Sequence, residues 1–337
     1  MKSPLLPTAA SRPLLDRRSL LACVLATLAG AARAQTSGRN ITFFVPQPAG
    51  NPTDGIARKM VPLLQNALGQ TVVVENLPGA GGSIGVSKAL AATGDGQTLL
   101  IASQTEPILT PLALAGVRYR PEDLRCVALA GRAPYVLVGR PDLPANTLAE
   151  LVALAKRSSA QPLSHGHIGH GSMIHLLGEQ LGRKLGLPLT QVPYKGVPPV
   201  VQDLMGGQID LSFLPLGGST PTLVETGKVK VYGTTAAAAS SRLPKVAPLS
   251  QLDAALRDFV YGTWGAVFVP RSTSEGAVQR LHKALADAAK DADVQAYLNG
   301  SGMAPPGPLS LAQLDQFYRA ETVLYQGLAR ELGITPQ

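Results

Sequence analysis

The sequence predicts an α/β protein of two lobes that are joined by two crossover strands. Short β-branched runs alternate with longer helical periods, which is typical of βαβ units and a mostly parallel sheet. Two long extended runs, 127–139 and 258–270, bracket the middle of the chain. The chain is also long enough for two domains of ordinary size.

Each lobe is predicted from its own alternation of strands and helices. In the first lobe we predict strands at 41–46, 71–76 and 97–103, and helices at 53–69 and 83–93. In the second lobe we predict strands at 163–167, 190–196, 208–216 and 228–235, and helices at 147–157, 172–186 and 198–207. Helices at 275–290 and 310–333 close the chain. Residues 35–132 plus 265–337 are therefore assigned to lobe 1, and residues 133–264 to lobe 2.

The first 34 residues have the pattern of a secretory signal peptide. Arg17 and Arg18 precede an apolar run at 20–29, which leads to an A-x-A end at 32–34. The run is too short to span a bilayer. We therefore predict a cleaved signal at 1–34 and a periplasmic protein. The arginine pair leaves Sec and twin-arginine export both open.

Charge and cysteine content exclude several classes of protein. The formal net charge of the full chain is +8, and it falls to about +4 without the predicted signal, which holds five basic residues and one acidic residue. The charges are scattered and no basic run is interleaved with aromatic residues, so nucleic acid is not an expected partner. Cys126 is the one cysteine outside the signal, which excludes an internal disulfide.

The stretch VPQPAGNPTDGIAR, residues 45–58, places a Pro- and Gly-rich turn between a strand and a helix. Thr53 or Asp54 is a suitable N-cap for that helix. The exposed N–H groups of the first helical turn could hold a carboxylate without a charged side chain. An ordinary capped loop between a strand and a helix is the alternative interpretation.

The glycine-rich stretch NLPGAGGSIG, residues 76–85, does not have the spacing of a dinucleotide-binding motif. No acidic residue ends a strand about twenty positions further on. We interpret the stretch as a tight turn near the cleft, and we expect no cofactor.

Four of the five histidines lie between His165 and His175. Zinc needs three or four convergent ligands, and this spacing matches no standard signature, although Glu179 lies one turn beyond His175. A metal-dependent periplasmic enzyme therefore remains an alternative. Cys126 lies in an apolar strand remote from the histidines, so we expect neither catalytic residues nor an enzyme.

Several stretches together resemble the Bug-type solute receptors of tripartite tricarboxylate transporters. They are FFVPQPAGNPTDGIAR, VVVENLPGAGGSIG, HIGHGSMIHL, VPYKG and GTWGAVFVP, in the expected order over the mature chain. The resemblance implies a type II periplasmic-binding-protein-like fold with the ligand in the interdomain cleft. It also implies a small organic carboxylate as solute, a membrane permease as partner, and a monomer. A carboxylate sensor for a membrane kinase is a further alternative.

The resemblance also implies which residues bind the ligand. In the first lobe these are Pro48, Ala49, Gly50, Asn51, Thr53 and Asp54, together with Gln104 and Thr105 after the third strand. In the second lobe they are His167, Gly169, His170, Gly171 and Ser172, with His175 as structural support.

Two departures from the family pattern bear on the choice of ligand. Asn51 replaces a usual glycine and His167 a usual serine, so we expect these two side chains to select the ligand. The acidic or amide residue that usually follows the strand at 209–213 is missing. A ligand without an ammonium group, such as a di- or tricarboxylate or an aromatic acid, is therefore expected.

Overall fold

The computed structural model describes residues 40–157, 161–240 and 242–337. The predicted signal at 1–34 lies outside the described residues. Residues Asn40–Gln337 group into one compact unit, and none of the described helices is long and apolar enough to cross a membrane. The division at 132/133 and 264/265 stays a prediction.

The described chain alternates strands and helices along most of its length. The strands are β1 Ile41–Val45, β2 Val72–Asn76, β3 Thr98–Ala102, β4 Leu124–Gly139, β5 Leu163–His167, β6 Leu189–Pro193, β7 Leu211–Pro215, β8 Lys230–Thr234 and β9 Gly262–Pro270. The helices are α1 Pro52–Leu68, α2 Ser83–Leu90, α3 Thr110–Ala113, α4 Leu148–Arg157, α5 Met173–Leu185, α6 Val197–Met205, α7 Thr220–Glu225, α8 Leu249–Leu252, α9 Glu275–Ala288, α10 Ala292–Gly300 and α11 Leu311–Glu331.

The strands form one sheet with two halves, and the two long strands β4 and β9 lie between them. The order is β2-β1-β3-β9-β4-β7-β5-β6, and β8 also pairs with β4. Strands β1, β2 and β3 are mutually parallel on one side, and β5, β6 and β7 on the other. Both β4 and β9 run antiparallel to their neighbours, so the prediction of a mostly parallel sheet holds only for the outer strands.

Strand β4 changes its partner where the chain passes from one half of the sheet to the other. Residues from Leu124 to Pro134 pair with β9, and residues from Tyr135 to Gly139 pair with β7. A strand of 16 residues can reach both halves, which explains why it is longer than the predicted 127–139. The second predicted run, 258–270, is shorter in the structure because β9 begins only at Gly262.

Both faces of the sheet are buried against helices. On β1, Phe43 is fully buried in one core cluster and Phe44 is buried in the other. On β3, Leu99 and Leu100 divide between the same two clusters. Neighbouring side chains of a strand point to opposite faces, so a continuous apolar run predicts a strand covered on both sides.

Candidate functional site

The first loop, residues Pro46–Asn51, joins the carboxyl end of β1 to the start of α1. Asn51 is the N-cap residue, with extended backbone, and Pro52 occupies the first turn. The prediction of Thr53 or Asp54 as N-cap is therefore wrong, because proline's fixed φ suits the first helical position and begins the helix earlier. The Asn51 side chain donates to Pro48 O at 3.0 Å, which closes the loop on itself.

Asp54 holds the first loop from inside the helix. Its carboxylate accepts hydrogen bonds from Gly50 N–H (3.0 Å), Arg58 Nε (3.0 Å) and Asn76 Nδ2 (3.0 Å). Burial alone would raise the pKa of Asp54, but these donors outweigh it and the pKa is lowered. The Asp54 carboxylate therefore binds the loop and its neighbouring side chains.

A second buried acid, Glu106, lies behind the same loop. It accepts hydrogen bonds from the amide of Gln47 and from Ser103 N–H (2.9 Å) and Oγ (2.8 Å). Gln47 in turn accepts a hydrogen bond from Thr53 Oγ1 at 2.6 Å. Burial raises the pKa of Glu106, although the hydrogen bonds of Gln47 and Ser103 oppose the shift. Sequence analysis missed this acid because no local motif marks it.

The second loop, residues Ile168–Ser172, joins the carboxyl end of β5 to α5. Ser172 is the N-cap of α5, and its Oγ accepts the His175 N–H at 3.3 Å. His175 Nδ1 accepts the Gly171 N–H at 3.1 Å, which is the contact expected of a supporting residue. Gly171 has φ +73°, and a Cβ there would lie 2.1 Å from Ala113 Cβ, so the loop requires glycine at this position.

The histidines stack behind the second loop. Ring centroids are 6.5 Å apart for His165 and His167, 4.5 Å for His167 and His175, and 5.0 Å for His170 and His175. Burial lowers the pKa of His165 and His167 to about 4 and that of His175 to about 3, so these three are neutral at pH 7. The rings of His165 and His167 are stacked, with 16° between their planes, and the other two pairs are tilted by 39° and 51°. No group of three His, Cys, Asp or Glu in the described residues is arranged to hold a metal ion.

The two loops border an apolar cavity on the cleft side of β4 and β9. Its empty volume is about 560 Å³, counting space open to solvent. Thr53 of α1, Ile174 of α5 and Val197 of α6 line it, so the first turns of three helices face one space. The first N–H groups of a helix have no partner within the helix, which makes such a space suitable for an anion.

A neighbouring cavity, the glycine-loop cavity, shares Gln47, Asn51, Thr105 and Ile168 with the apolar cavity. Residues Gly79–Gly82 form its other wall. The prediction that the glycine-rich stretch is a turn near the cleft is thereby confirmed.

The two sides of the cleft are in contact. Met173 N–H donates to Thr105 Oγ1 at 3.4 Å, and this bond joins the start of α5 to the segment after β3. A Cβ on Gly196 would lie 2.9 Å from Pro48 Cγ, so the loop before α6 packs closely on the first loop. The structure therefore has a closed arrangement of the loops.

The predicted site residues divide into two groups. Asn51, Thr53, Thr105 and Gly169 line the two cavities. The other predicted residues do not line the cavities. Asp54, Ser172 and His175 hold the loops, Gln104 and His167 follow or end strands, and the rest lie in the loops: Pro48, Ala49, Gly50, His170 and Gly171.

Gln104, His167 and His170 make contacts outside the two cavities. Gln104 is fully buried and donates to Tyr135 Oη at 2.9 Å, so it braces β4. His167 Nδ1 lies 2.9 Å from Gly169 O and 3.2 Å from Gly169 N, so the ring contacts the backbone of the second loop. His170 Nε2 lies 3.3 Å from Thr335 O, near the C-terminus. Ligand selection by His167 stays a prediction.

Residues 56–333 match the family described as the tripartite tricarboxylate transporter family receptor. The chain belongs to this family. Protein BugT of Bordetella pertussis is 32% identical over 302 residues, which are 88% of this chain and 90% of BugT. The resemblance seen in the sequence motifs is thus confirmed.

Solved structures of similar proteins show the same fold. MatC from Rhodopseudomonas palustris, solved with bound malate, is 29% identical with a TM-score of 0.80, over 86% of this chain and 98% of MatC. A second R. palustris protein, solved with adipate, is 27% identical with a TM-score of 0.82, over 89% of this chain and 99% of its own. The fold is that of periplasmic solute-binding proteins rather than of enzymes, and it places the chain outside the cytoplasm.

Proposed function

We propose that this protein captures a small organic carboxylate between the first and second loops and delivers it to a membrane permease. One observation carries the proposal: the first turns of α1, α5 and α6 face a single cavity. N–H groups at the starts of α1 and α5 and the positive ends of the helix dipoles stabilise an anion there, while α6 offers few N–H groups because Pro198 and Pro199 follow Val197. The malate- and adipate-bound relatives support a carboxylate as that anion.

Binding is proposed to act through closure of the two halves of the chain. Strands β4 and β9 connect the halves, and contacts beside the cavity join Thr105 to Met173 and Pro48 to Gly196 across the cleft. A solute that contacts both sides binds the closed arrangement more tightly and so shifts the equilibrium toward it. The permease would then recognise the closed form, and no bond is made or broken in the solute. The protein is proposed to act as a monomer.

Isothermal titration with a panel of mono-, di- and tricarboxylates tests this proposal. Ligand at a hundred times its Kd also stabilises the fold by about 2.7 kcal/mol, which thermal unfolding detects. The panel is repeated with chelator, because binding that is lost on chelation would favour the metal alternative. Absence of binding for every acid would contradict the proposal.

A glycine pair supplies a matched control. A Cβ on Gly265 would meet Ile56 at 3.6 Å at the cavity floor, so Gly265→Leu should fill the cavity and abolish binding. Gly276 on α9 has nothing within 4 Å of such a Cβ, so Gly276→Leu should leave binding unchanged. Equal binding by both variants would place the solute elsewhere.

A further inference from the structure

Six aliphatic side chains, counting Pro215 and Met303, line the apolar cavity beside its polar residues. They come from both halves of the sheet and from the segment after α10: Ile56, Ile168, Ile174, Val197, Pro215 and Met303. Ile168 belongs to the second loop and Val197 begins α6, so the wall closes over a solute when the loops meet. A solute that enters this space buries its tail against hydrocarbon.

The floor of the cavity is made by small residues of β4 and β9. Gly131 pairs with Gly265, and Ala133 pairs with Thr263. These residues leave a flat surface between the aliphatic walls, because none carries a side chain larger than threonine. The shape is a slot that accepts a planar ring or an extended chain.

Arg132 is the one charged residue among the described residues that line this cavity. It lies opposite Trp264 on β9, one position along from the floor residues and so on the other face of the strands. Its guanidinium lies 4.6 Å from the centroid of the Phe317 ring on α11. Trp264 Nε1 likewise turns to α11, where it donates to Glu321 at 2.8 Å. The Arg132 guanidinium therefore lies on the face of the strands opposite the cavity.

Several polar side chains of the cavity are hydrogen-bonded to neighbouring side chains. Thr53 Oγ1 donates to Gln47 Oε1 at 2.6 Å, and Thr263 Oγ1 donates to Gln104 Oε1 at 3.3 Å. Tyr135 Oη accepts a hydrogen bond from the Gln104 amide. These side chains are neutral, so a second charged group on the solute would find hydrogen-bond partners here but no counter-charge.

We infer that the solute of this receptor is a monocarboxylic acid with an apolar tail, and that Ile168, Ile174, Val197 and Met303 select that tail. This inference rests on the proposed function, because it assumes that the carboxylate lies at the helix starts. The tail then extends over the Gly131–Gly265 floor. A second carboxylate or an ammonium group on the tail would lose its water without gaining a counter-charge, which is strongly unfavourable.

Hexanoate and adipate form the decisive pair of ligands, because adipate has the length of hexanoate but ends in a second carboxylate. We expect hexanoate to bind at least about tenfold more tightly than adipate, measured by titration of the purified protein. Phenylacetate and 3-phenylpropionate distinguish an aromatic tail from an alkyl tail, and phenylalanine adds an ammonium group to the latter acid. The fluorescence of Trp264, the single tryptophan of the chain, gives an independent readout.

Two results would overturn the inference in different ways. Adipate or malate binding as tightly as hexanoate leaves the proposed function standing and refutes the apolar-tail specificity. Failure of every acid to bind refutes the proposed function and the inference together.

A substitution in the wall tests which residues are responsible. Ile168→Arg places a cation in the cavity, and it should lower hexanoate affinity and raise adipate affinity, each by about tenfold. Val323→Arg on the exposed face of α11, where valine is 68% exposed, is the matched control and should change neither. An unchanged hexanoate-to-adipate ratio in Ile168→Arg would remove Ile168 from the selecting wall.

Discussion

The first and second loops place helix starts at the same cleft, but different chemistry holds each of them. Asp54 and Glu106 support the first loop with carboxylates that accept several hydrogen bonds. His167 and His175 support the second loop with neutral rings that bind its backbone, at Gly169 and Gly171 respectively. In both loops the ionisable side chains act on the backbone.

The two loops should therefore respond to different perturbations. Carboxylates with several donors depend on their charge, so the first loop should be sensitive to loss of a single acid. Buried neutral imidazoles must remain uncharged, so the second loop should be sensitive to acid pH. Four changes test this contrast, in order of decreasing expected effect.

Removal of the Asp54 carboxylate should have the largest effect. Asp54→Ala leaves Gly50 N–H and the Asn76 amide without their acceptor, and we expect a loss of about 3 kcal/mol in the free energy of unfolding. Asp287→Ala, which removes a surface partner of Lys283, should cost less than about 0.5 kcal/mol. Urea unfolding measures both. Similar values for the two variants would show that Asp54 does not hold the loop.

In the second loop, a glycine pair separates steric clash from backbone strain. Gly171 and Gly186 both have positive φ, +73° and +63°, but only at Gly171 would a Cβ strike a neighbour, Ala113. We expect Gly171→Ala to destabilise the fold by roughly 1–3 kcal/mol more than Gly186→Ala. Thermal unfolding at one pH measures the difference. Equal costs would mean that the second loop readily moves away from Ala113.

Acid pH should destabilise the second loop before the first. The folded-state pKa of His165 and His167 is about 4, below the ordinary 6.5, so the unfolded chain binds protons first as the pH falls. The stabilisation that the neutral histidines provide is therefore fully present above about pH 6.5 and is lost toward pH 4. Between pH 7 and pH 5 the free energy of unfolding should fall by about 1–2 kcal/mol per histidine. Asp54, with a lowered pKa, contributes above its ordinary value of 3.8 and is lost only below it.

Urea unfolding from pH 7 to pH 4, repeated with His165→Gln, tests this order. The wild-type curve should fall through this range, and the variant should fall less steeply because one buried histidine is gone. His282, outside the histidine stack, provides the control His282→Gln. A flat wild-type curve down to pH 4 would contradict the assignment of neutral, buried histidines.

The smallest effect is expected for the contact between the two sides. Thr105→Val removes the acceptor of Met173 N–H but keeps the shape of the side chain. We expect a severalfold loss of solute affinity and a change in stability below about 1 kcal/mol, because the bond is long and forms in the closed arrangement. Titration of Thr105→Val against the wild type checks this. If the free energy of unfolding falls by more than the free energy of binding, Thr105 supports the fold rather than the binding of the solute.

Local patterns predicted most of the fold and part of the site. The run ITFFV and its alternation with helical periods gave the strands, and the two long runs gave β4 and β9. The start of α5 at Met173 was predicted to within one residue, whereas the start of α1 at Pro52 was missed because Thr53 or Asp54 was the predicted N-cap. Chain-local features such as these are visible in a sequence.

The walls of the cavity could not be predicted in the same way. Ile56, Val197 and Met303 are far apart in sequence and meet only through the tertiary fold. The direction of His167 was also hidden, because strand alternation does not say which face turns to the cleft. Glu106 lies in a π-helical turn that no pattern announces.

A crystal structure with the tightest-binding acid would show whether the carboxylate binds at the helix starts. We predict the carboxylate oxygens within about 3 Å of backbone N–H groups at the starts of α1 and α5, near Thr53 and Ile174, with the loops closed over the tail. A solute bound to the rings of His165, His167 and His175, or outside both cavities, would contradict the account.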